Sequence, residues 1–442
     1  MSAVASILQK QLTVLSPQLT AWRRDLHNHP ETAWTEFRTA ALAARHLLDL
    51  GYNVRLGLQA LDPAFINPRP DEHRLRAAQE RAIQEGADPI LVEHMKGGYT
   101  ALWADLLCSD EPGPMLAFRF DMDANPLQES AFPEHRPIRE GFASCHPGCM
   151  HACAHDGHIA LGLGLATLLT HIRAHMRGSV RFIFQPAEEG GSGALPMLKA
   201  GVLNGVEYLV GIHIGIRALH TGSLVCGTKG FMASSGLDVQ YTGSPSHAGL
   251  APHAGRNALL AACSAALGMH AISRHGDGSS RINVGQLQAG QARNVVPDSA
   301  VLKVETRGIS TEIDNFMCQE AQRIARAAGD MWNCSCDIFP LKKLPSGASN
   351  SEMSIRIAKI AHSMPAFKKI TQEEDFGATE DFTALLEAIQ HNGGQGAYIQ
   401  LGAECAAGHH SDRFDFDENA LPLGLELLTK IALDYLGSAD CV

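Results

Sequence analysis

The sequence predicts an α/β protein, a mixed and mostly parallel sheet between helices, with a smaller α+β layer inserted into it. Short apolar runs alternate with helical spacing between about residues 113 and 215, the pattern of strands joined by crossover helices. Between 232 and 343 the order changes to strand, helix, two strands, helix, strand, the βαββαβ order of a ferredoxin-like layer. The 442 residues exceed one ordinary core, so two domains are expected. The division expected is 1–231 with 344–442 for the larger domain and 232–343 for the smaller.

Residues 11–50 have helical apolar spacing, clearest in "ETAWTEFRTAALAARHLLDLGY". Residues 56–97 interrupt that pattern as a helical insertion. They begin Pro-rich in "LDPAFINPRP" and become a polar, charged helix bounded by Gly86 and Pro89. This stretch reads as a decoration, either a solvated excursion or a recognition element. Next, "GPMLAFRFDMDA" (113–124) reads as a buried strand and "HIALGLGLATLLTHIRAH" (158–175) as a helix. A strand with an acidic end follows, "GSVRFIFQPAEEG" (178–190), then a short helix "ALPMLKAGVL" and a third strand, "VEYLVGIHIG" (206–215). In the smaller layer the strands are "SSGLDVQYTG", "SRINVGQLQAG", "SAVLKVETRG" and "NCSCDIFPL". Its helices are "RNALLAACSAALGMHAI" and "TEIDNFMCQEAQRIARAAG". The last hundred residues return to helix, with a strand "GAYIQLG" expected to complete the first sheet and a loop "AECAAGHHSDRFDFDE".

Composition narrows the function. A net charge of −11 argues against nucleic acid or an anionic membrane surface as partner. No run reaches the about 18 apolar residues of a membrane-spanning helix. The N-terminus reads as an amphipathic helix rather than a signal peptide, and the eleven cysteines lack regular spacing. Reduced thiols and a cytoplasmic location are therefore expected.

The chemistry gathers where strands end. In open α/β sheets ligands sit beyond the carboxyl ends of the strands, and Asp121, Asp123, Glu188, Glu189 and His213 all fall there. "MHACAHDGH" (150–158) adds Cys153 and His155, one residue apart and able to face one point. Thiolate and imidazole suit zinc, and carboxylate extends the range toward manganese. A catalytic metal needs both ligands and a free base, which Glu188-Glu189 can supply. Two other readings stand beside this one. Cys145, Cys149 and Cys153, with His146, His151 or His155, could close a structural zinc site, although no C-x-x-C knuckle is present. Alternatively, His151, His155 and His158 cap or fill a helix start.

"MHACAHDGH", "QPAEEG", "GIHIG", "SPSHAG", "ARNVVPD", "GATEDF" and "HHSDRFDFDE" occur in that order. With "WRRDLHNHPETAWTEF" and "FRFDMDANP", the chain resembles the co-catalytic metallopeptidases related to aminoacylase, carboxypeptidase G and the hippurate and indole-acetyl-amino-acid amidohydrolases. The resemblance covers nearly everything outside 56–97. It implies a zinc-peptidase-like catalytic domain, the inserted layer serving as lid and dimerisation domain. It also implies two divalent ions per subunit, Mn2+ or Zn2+. Cys153 would bridge them, His155 and His213 completing one ion, Glu189 and His410 the other. Glu188 would be the general acid/base, and Asp121 would orient a ligand. His247 would stabilise the oxyanion in a partner's site, and Asn294 and Arg307 would hold the substrate carboxylate. The implied activity is hydrolysis of an N-acyl amino acid, p-aminobenzoyl-glutamate foremost, by a homodimer or a heteromer with a related chain. A general acyl-amino-acid hydrolase or dipeptidase, or a non-catalytic partner of such an enzyme, are the alternatives. Ala154 stands where the family has glycine, and Asp412 where it has proline. The second change leaves His409 and His410 as competing ligands.

Overall fold

The computed structural model describes residues 3–109 and 111–437. They fall into two compact units, Met1–Lys229 with Ala348–Phe376 and Ala384–Val442, and Gly230–Gly347 with Gly377–Thr383. In chain order the strands are β1 (Asn53–Leu56), β2 (Leu102–Leu107), β3 (Met115–Asp121), β4 (Ser179–Gln185), β5 (Tyr208–Ile214), β6 (Ser223–Val225) and β7 (Thr228–Lys229). They continue with β8 (Ala233–Thr242), β9 (Ser280–Ala289), β10 (Ser299–Gly308), β11 (Ser335–Leu344), β12 (Lys369–Thr371), β13 (Glu374–Asp375) and β14 (Gln395–Leu401).

The larger unit is built on an eight-stranded sheet of order β1-β2-β4-β3-β5-β14-β6-β12. Its centre, β4-β3-β5-β14, is parallel, and antiparallel pairs occur at β1/β2, β2/β4 and β14/β6. Beyond their first residue β3, β4 and β5 are buried, as a parallel sheet covered by helices requires. Their shared direction brings the carboxyl ends of β3, β4 and β5 to one edge.

The helix His155–Ile172 is apolar on nearly all sides, which is the signature of a buried helix. It packs against β3 and β4 and against the helices Ala3–Asn28 and Ala420–Leu436. A Cβ at Gly162 would stand 2.8 Å from Phe184 and 2.9 Å from Phe120. Glycine there lets the helix lie directly on β3 and β4. The helix begins at His155, three residues before the expected start at 158, because Ala154 turns left-handed.

The reading of 56–97 as a decoration is corrected. The segment forms the helices Glu72–Gln84 and Pro89–His94, capped by Asp71 and Asp88 side chains that accept from Arg74 and Ile90 N–H groups. Leu75, Ala78, Ala82, Leu91, Val92 and Met95 join the main hydrophobic core, and both helices pack on Phe37–Asp49. Only the outward face is solvated.

The smaller unit runs β8, helix Ala258–His270, β9, β10, helix Thr311–Met331, β11. Its antiparallel sheet has the order β11-β8-β10-β9, with Leu237, Val239, Tyr241, Leu302 and the alanine faces of both helices as core. The division falls at Lys229/Gly230 and Gly347/Ala348, not at 231/232 and 343/344. Phe231 bridges Gly347, and the Met232 N–H donates to Ala378 O at 2.9 Å. Those bonds also draw 377–383 into the smaller unit. Among the described residues no helix is long and apolar enough to cross a membrane.

Candidate active site

Four chain segments of the larger unit meet beyond the strand ends. Asp121 closes β3 and His213 is the penultimate residue of β5. β4 stops at Gln185, and the chain turns through Pro186 and Ala187 into Glu188 and Glu189. The start of helix His155–Ile172 contributes Cys153 and His155. Buried carboxylates grip the acidic loop: Asp123 accepts from the Glu188 and Glu189 N–H groups at 2.8 and 3.1 Å, and Glu36 from Ala187 N–H at 2.9 Å. A Cβ at Gly193 would fall 1.6 Å from Pro186 O, so this turn closes only around glycine.

The imidazole tautomers follow from their partners. His155 Nδ1 donates to Asp123 O at 2.7 Å and His213 Nδ1 to Ile214 O at 2.8 Å, so both Nε2 atoms face the cluster. His155 Nε2 lies 3.7 Å from Asp121 Oδ1 and 3.9 Å from both Glu188 Oε2 and Glu189 Oε1. His213 Nε2 lies 3.4 Å from Cys153 Sγ. Ligand atoms of Cys153, His155 and Glu189 are within 4.8 Å of one another, as are those of Cys153, His213 and His409. Cys153 is common to both groups.

At position 409/410 the structure brings both histidines to the cluster. His410 Nε2 is 3.2 Å from Glu189 Oε2, with its side chain 57% exposed. The better-buried His409 places Nε2 3.0 Å from Ile214 O. A ring nitrogen donating to that carbonyl leaves only Nδ1 to face outward. His410 has φ +62°, the left-handed step that sends the two neighbouring rings different ways.

Electrostatics mark the cluster as a place suited to a cation. Burial pulls His155 down, but Asp121, Glu189 and Asp123 outweigh it and hold the imidazole at about 9. Burial, then His158 and His409, push His213 well below its ordinary value, leaving it neutral as a metal ligand must be. Burial raises Asp123 to about 7, and burial with Asp123 raises Glu36 to about 8. His155 Nε2 and Glu189 Oε1 are buried with no hydrogen-bond partner among the described residues, an arrangement folded proteins avoid unless something else satisfies the atoms. Thiol, imidazole and carboxylate donors converging on that spot fit a divalent transition metal.

Around this cluster the backbone is unusual. Among the described residues six non-glycines have positive φ, and four adjoin the site: Ala154 (66°), Ala187 (55°), Ile216 (65°) and His410 (62°). Such conformations cost energy and persist where the surroundings enforce them. Ala154 does occupy the conformation for which glycine is suited.

Three supporting roles go beyond what the sequence assigns, although Asp123 itself falls at a strand end. Asp123 holds the acidic loop. His158 accepts from Ile214 N–H at 2.9 Å and donates Nδ1 to Asp121 at 2.5 Å, while Arg119 pairs with the same carboxylate. Arg23 and His27 hold Asp156, the neighbour of His155. Apart from Arg119 and Asp121, two residues apart on β3, nothing in residue type or spacing links these partners along the chain. The remaining expected residues lie in the smaller unit. His247 is exposed and bridges Val295, next to exposed Asn294. Arg307, near the far end of β10, pairs with Glu305 at 2.7 Å.

Residues 117–434 match the peptidase family M20/M25/M40. The chain is 42% identical to indole-3-acetyl-aspartic acid hydrolase of Enterobacter agglomerans over 97% of its length and 98% of the relative's. It is 41% identical to a p-aminobenzoyl-glutamate hydrolase subunit of Escherichia coli (strain K12), with the same coverage. A crystal structure of the aminobenzoyl-glutamate utilization protein from Klebsiella pneumoniae superposes with a TM-score of 0.82 at 37% identity, covering 97% of this chain and 98% of that one. With the strand-end cluster these likenesses establish that the chain belongs to the M20 peptidase family and carries its fold.

Proposed function

We propose that this chain is a metal-dependent amidohydrolase that releases an acidic amino acid from an aromatic N-acyl group, with p-aminobenzoyl-glutamate as its leading substrate. The observation that carries the reading is the facing pair of buried, unsatisfied atoms, His155 Nε2 and Glu189 Oε1, beside Cys153. The two relatives near 40% identity are named for indole-3-acetyl-aspartic acid and p-aminobenzoyl-glutamate. Both names join an aromatic acyl group to an acidic amino acid, which defines the substrate class.

Cys153, His155, His213, Glu189 and His410 are the residues that would hold two ions, Mn2+ or Zn2+. When bound, such ions polarise an amide carbonyl and bring the pKa of water toward neutrality. Glu188, held by its own N–H on Asp123, takes the proton from the attacking water and passes it to the departing amine. Asp121, fixed by His158 and Arg119, orients the cluster by facing His155. The roles of His247 on the oxyanion and of Asn294 and Arg307 on the free carboxylate rest on the family resemblance. So do the lid and dimer assignments and a cytoplasmic location. The E. coli relative is named as one subunit of its enzyme, which favours a heteromer with a related chain as the second form to assay.

The test is to purify the chain, load it with Mn2+ or Zn2+, and assay p-aminobenzoyl-glutamate, indole-3-acetyl-aspartate and a panel of acyl-amino acids and dipeptides, with and without a related second chain. Glu188→Gln should keep its metal and lose several orders of magnitude in turnover. Undiminished turnover in that variant removes Glu188 from the mechanism. A panel profile led by neutral dipeptides overturns the substrate class.

A further inference from the structure

Away from the strand ends, a second group of metal-ligand side chains joins the helical insertion to the loop that leads into "MHACAHDGH". Glu85 follows the helix Glu72–Gln84, and Cys145 and His146 lie in that loop. Their ligand atoms lie within 4.8 Å of one another. None of the three belongs to the site described above. We propose that Glu85, Cys145 and His146 form a separate binding site for one thiophilic divalent cation of the zinc class.

The histidine is the strongest support. His146 is buried, and its Nδ1 lies 2.7 Å from Pro30 O. A carbonyl only accepts, so the proton sits on Nδ1. Its Nε2 lies 2.7 Å from Glu85 Oε1, a hydrogen bond in which nitrogen and oxygen share one proton, and a cation can take that proton's place. Metal-binding histidines are held in the same way, one ring N–H on a backbone carbonyl and the other nitrogen on the ion. Glu85 Oε2 is buried and has no hydrogen-bond partner among the described residues, so the carboxylate has an oxygen in reserve. Partial burial of the sulfur, then Glu85, push the Cys145 thiol up, although the residue as a whole is exposed.

The loop is firmly held. The Cys145 N–H donates to Asn28 O at 2.9 Å, and Ser144 Oγ is 3.1 Å from His146 O and 2.6 Å from Cys149 O. The neighbouring charges are Arg38, which spends its guanidinium on Asp25 at 2.8 and 2.9 Å, Arg81, and the His29 ring at 6.2 Å from that of His146. Cys145 is exposed, which leaves a fourth position open to water, as three-ligand zinc sites do. Binding is an exchange: the cation enters, the thiol proton and the His146–Glu85 proton leave, and thiolate, neutral imidazole and carboxylate remain. The ion would pin the insertion to the loop that delivers Cys153.

The experiment uses the full chain saturated with Zn2+ and desalted, with metal counted per chain by mass spectrometry. Wild type should hold one equivalent more than Cys145→Ser, and Glu85→Gln should bind that equivalent at least tenfold more weakly. Calorimetry in two buffers of different ionisation enthalpy should show two protons released for it. Cys145→Ser should keep its hydrolytic activity. Equal metal content and affinity in wild type and Cys145→Ser overturn the site. In a Cys153→Ser background the one-equivalent difference should persist, so failure of the hydrolase reading and failure of this site are told apart.

Discussion

Arg23→Met tests how the fold holds the start of the helix that carries His155. The Arg23 side chain is fully buried, with Nε 3.0 Å from Asp156 Oδ2, close enough for an ion pair though outside hydrogen-bond alignment. Its other nitrogens lie 2.8 Å from Asp415 and 3.2 Å from Glu418, and its Cζ is 4.6 Å from the Phe416 ring centre. Methionine keeps much of the volume and removes the charge. Stranding one partner of a buried pair costs about 3–5 kcal/mol. Two groups soften the loss. His27 sits 2.8 Å from Asp156 and 3.0 Å from Glu129, and Arg136 still reaches Asp415 at 2.7 Å. The expected loss is therefore near the lower end, about 3 kcal/mol at pH 7.5.

The pH dependence separates charge from packing. Burial raises the Asp156 carboxyl, but Arg23 and His27 outweigh it and hold it well below the usual carboxylate range. A depressed carboxyl gives stability that is present above its unfolded value of about 3.9 and lost as pH falls through its folded value. Without Arg23 burial prevails more, and protonating Asp156 relieves the variant as pH falls. His27 is raised, since Asp156 and Glu129 outweigh burial and Arg23. Its contribution is complete below about 6.5 and also grows toward acid. The deficit of Arg23→Met should shrink between pH 7.5 and 5. Urea unfolding followed by fluorescence measures it, because Trp22, Trp34 and Trp103 lie in the larger unit and only Trp332 in the smaller. A deficit under about 1 kcal/mol at pH 7.5, or the same deficit at pH 5, would falsify this account of the buried charges.

Asp123→Asn keeps one oxygen to accept and sets its amide N–H₂ against the other of the Glu188 and Glu189 N–H groups. With charge-assisted hydrogen bonds at about 1.5–3 kcal/mol, kcat should fall roughly a hundredfold with KM little changed, and wild-type kinetics would contradict the positioning role. Stripping metal with a chelator should abolish turnover and lower unfolding stability by about 2.7 kcal/mol for each ion removed, relative to protein in metal at a hundred times Kd; refilling should restore both, and an unaltered stripped enzyme refutes the metal site. Ala154→Gly sets about 1–2 kcal/mol of relieved left-handed strain against about 0.8 for a lost buried methyl and about 0.5–1 for glycine's freedom when unfolded. The sum is near zero, and a gain above about 1.5 kcal/mol in urea unfolding would show the strain term to be undervalued.

The sequence made the site legible wherever a residue type and a strand end coincided. Asp121, Glu188, Glu189 and His213 sit at the ends of β3, β4 and β5, and one intervening residue puts Cys153 and His155 at one helix start. The βαββαβ layer was legible because its strands are ten residues long, with β9 and β10 clearly alternating. The short strands β1, β6 and β12, of four, three and three residues, are too brief to show a period. The insertion misled because its buried stripe of Leu75, Ala78 and Ala82 is mostly alanine, a residue at home on either face of a helix. His409 and His410 are chemically identical neighbours, and only the fold separates them, by the φ of +62° at His410 and by their different partners, Ile214 O and Glu189. Arg23 and Asp156 belong to helices far apart along the chain, a separation that only the folded protein closes.

Four left-handed non-glycine residues around one cluster carry a consequence for engineering. Loops bent this way do not keep their shape as free peptides, because each such step is disfavoured unless neighbouring structure enforces it. Transplanting "MHACAHDGH" or "QPAEEG" into an unrelated host would carry over the donor atoms without their directions. A graft that works will have to import β3, β4, β5 and the buried helix beneath them, so the smallest portable form of this chemistry is most of a domain.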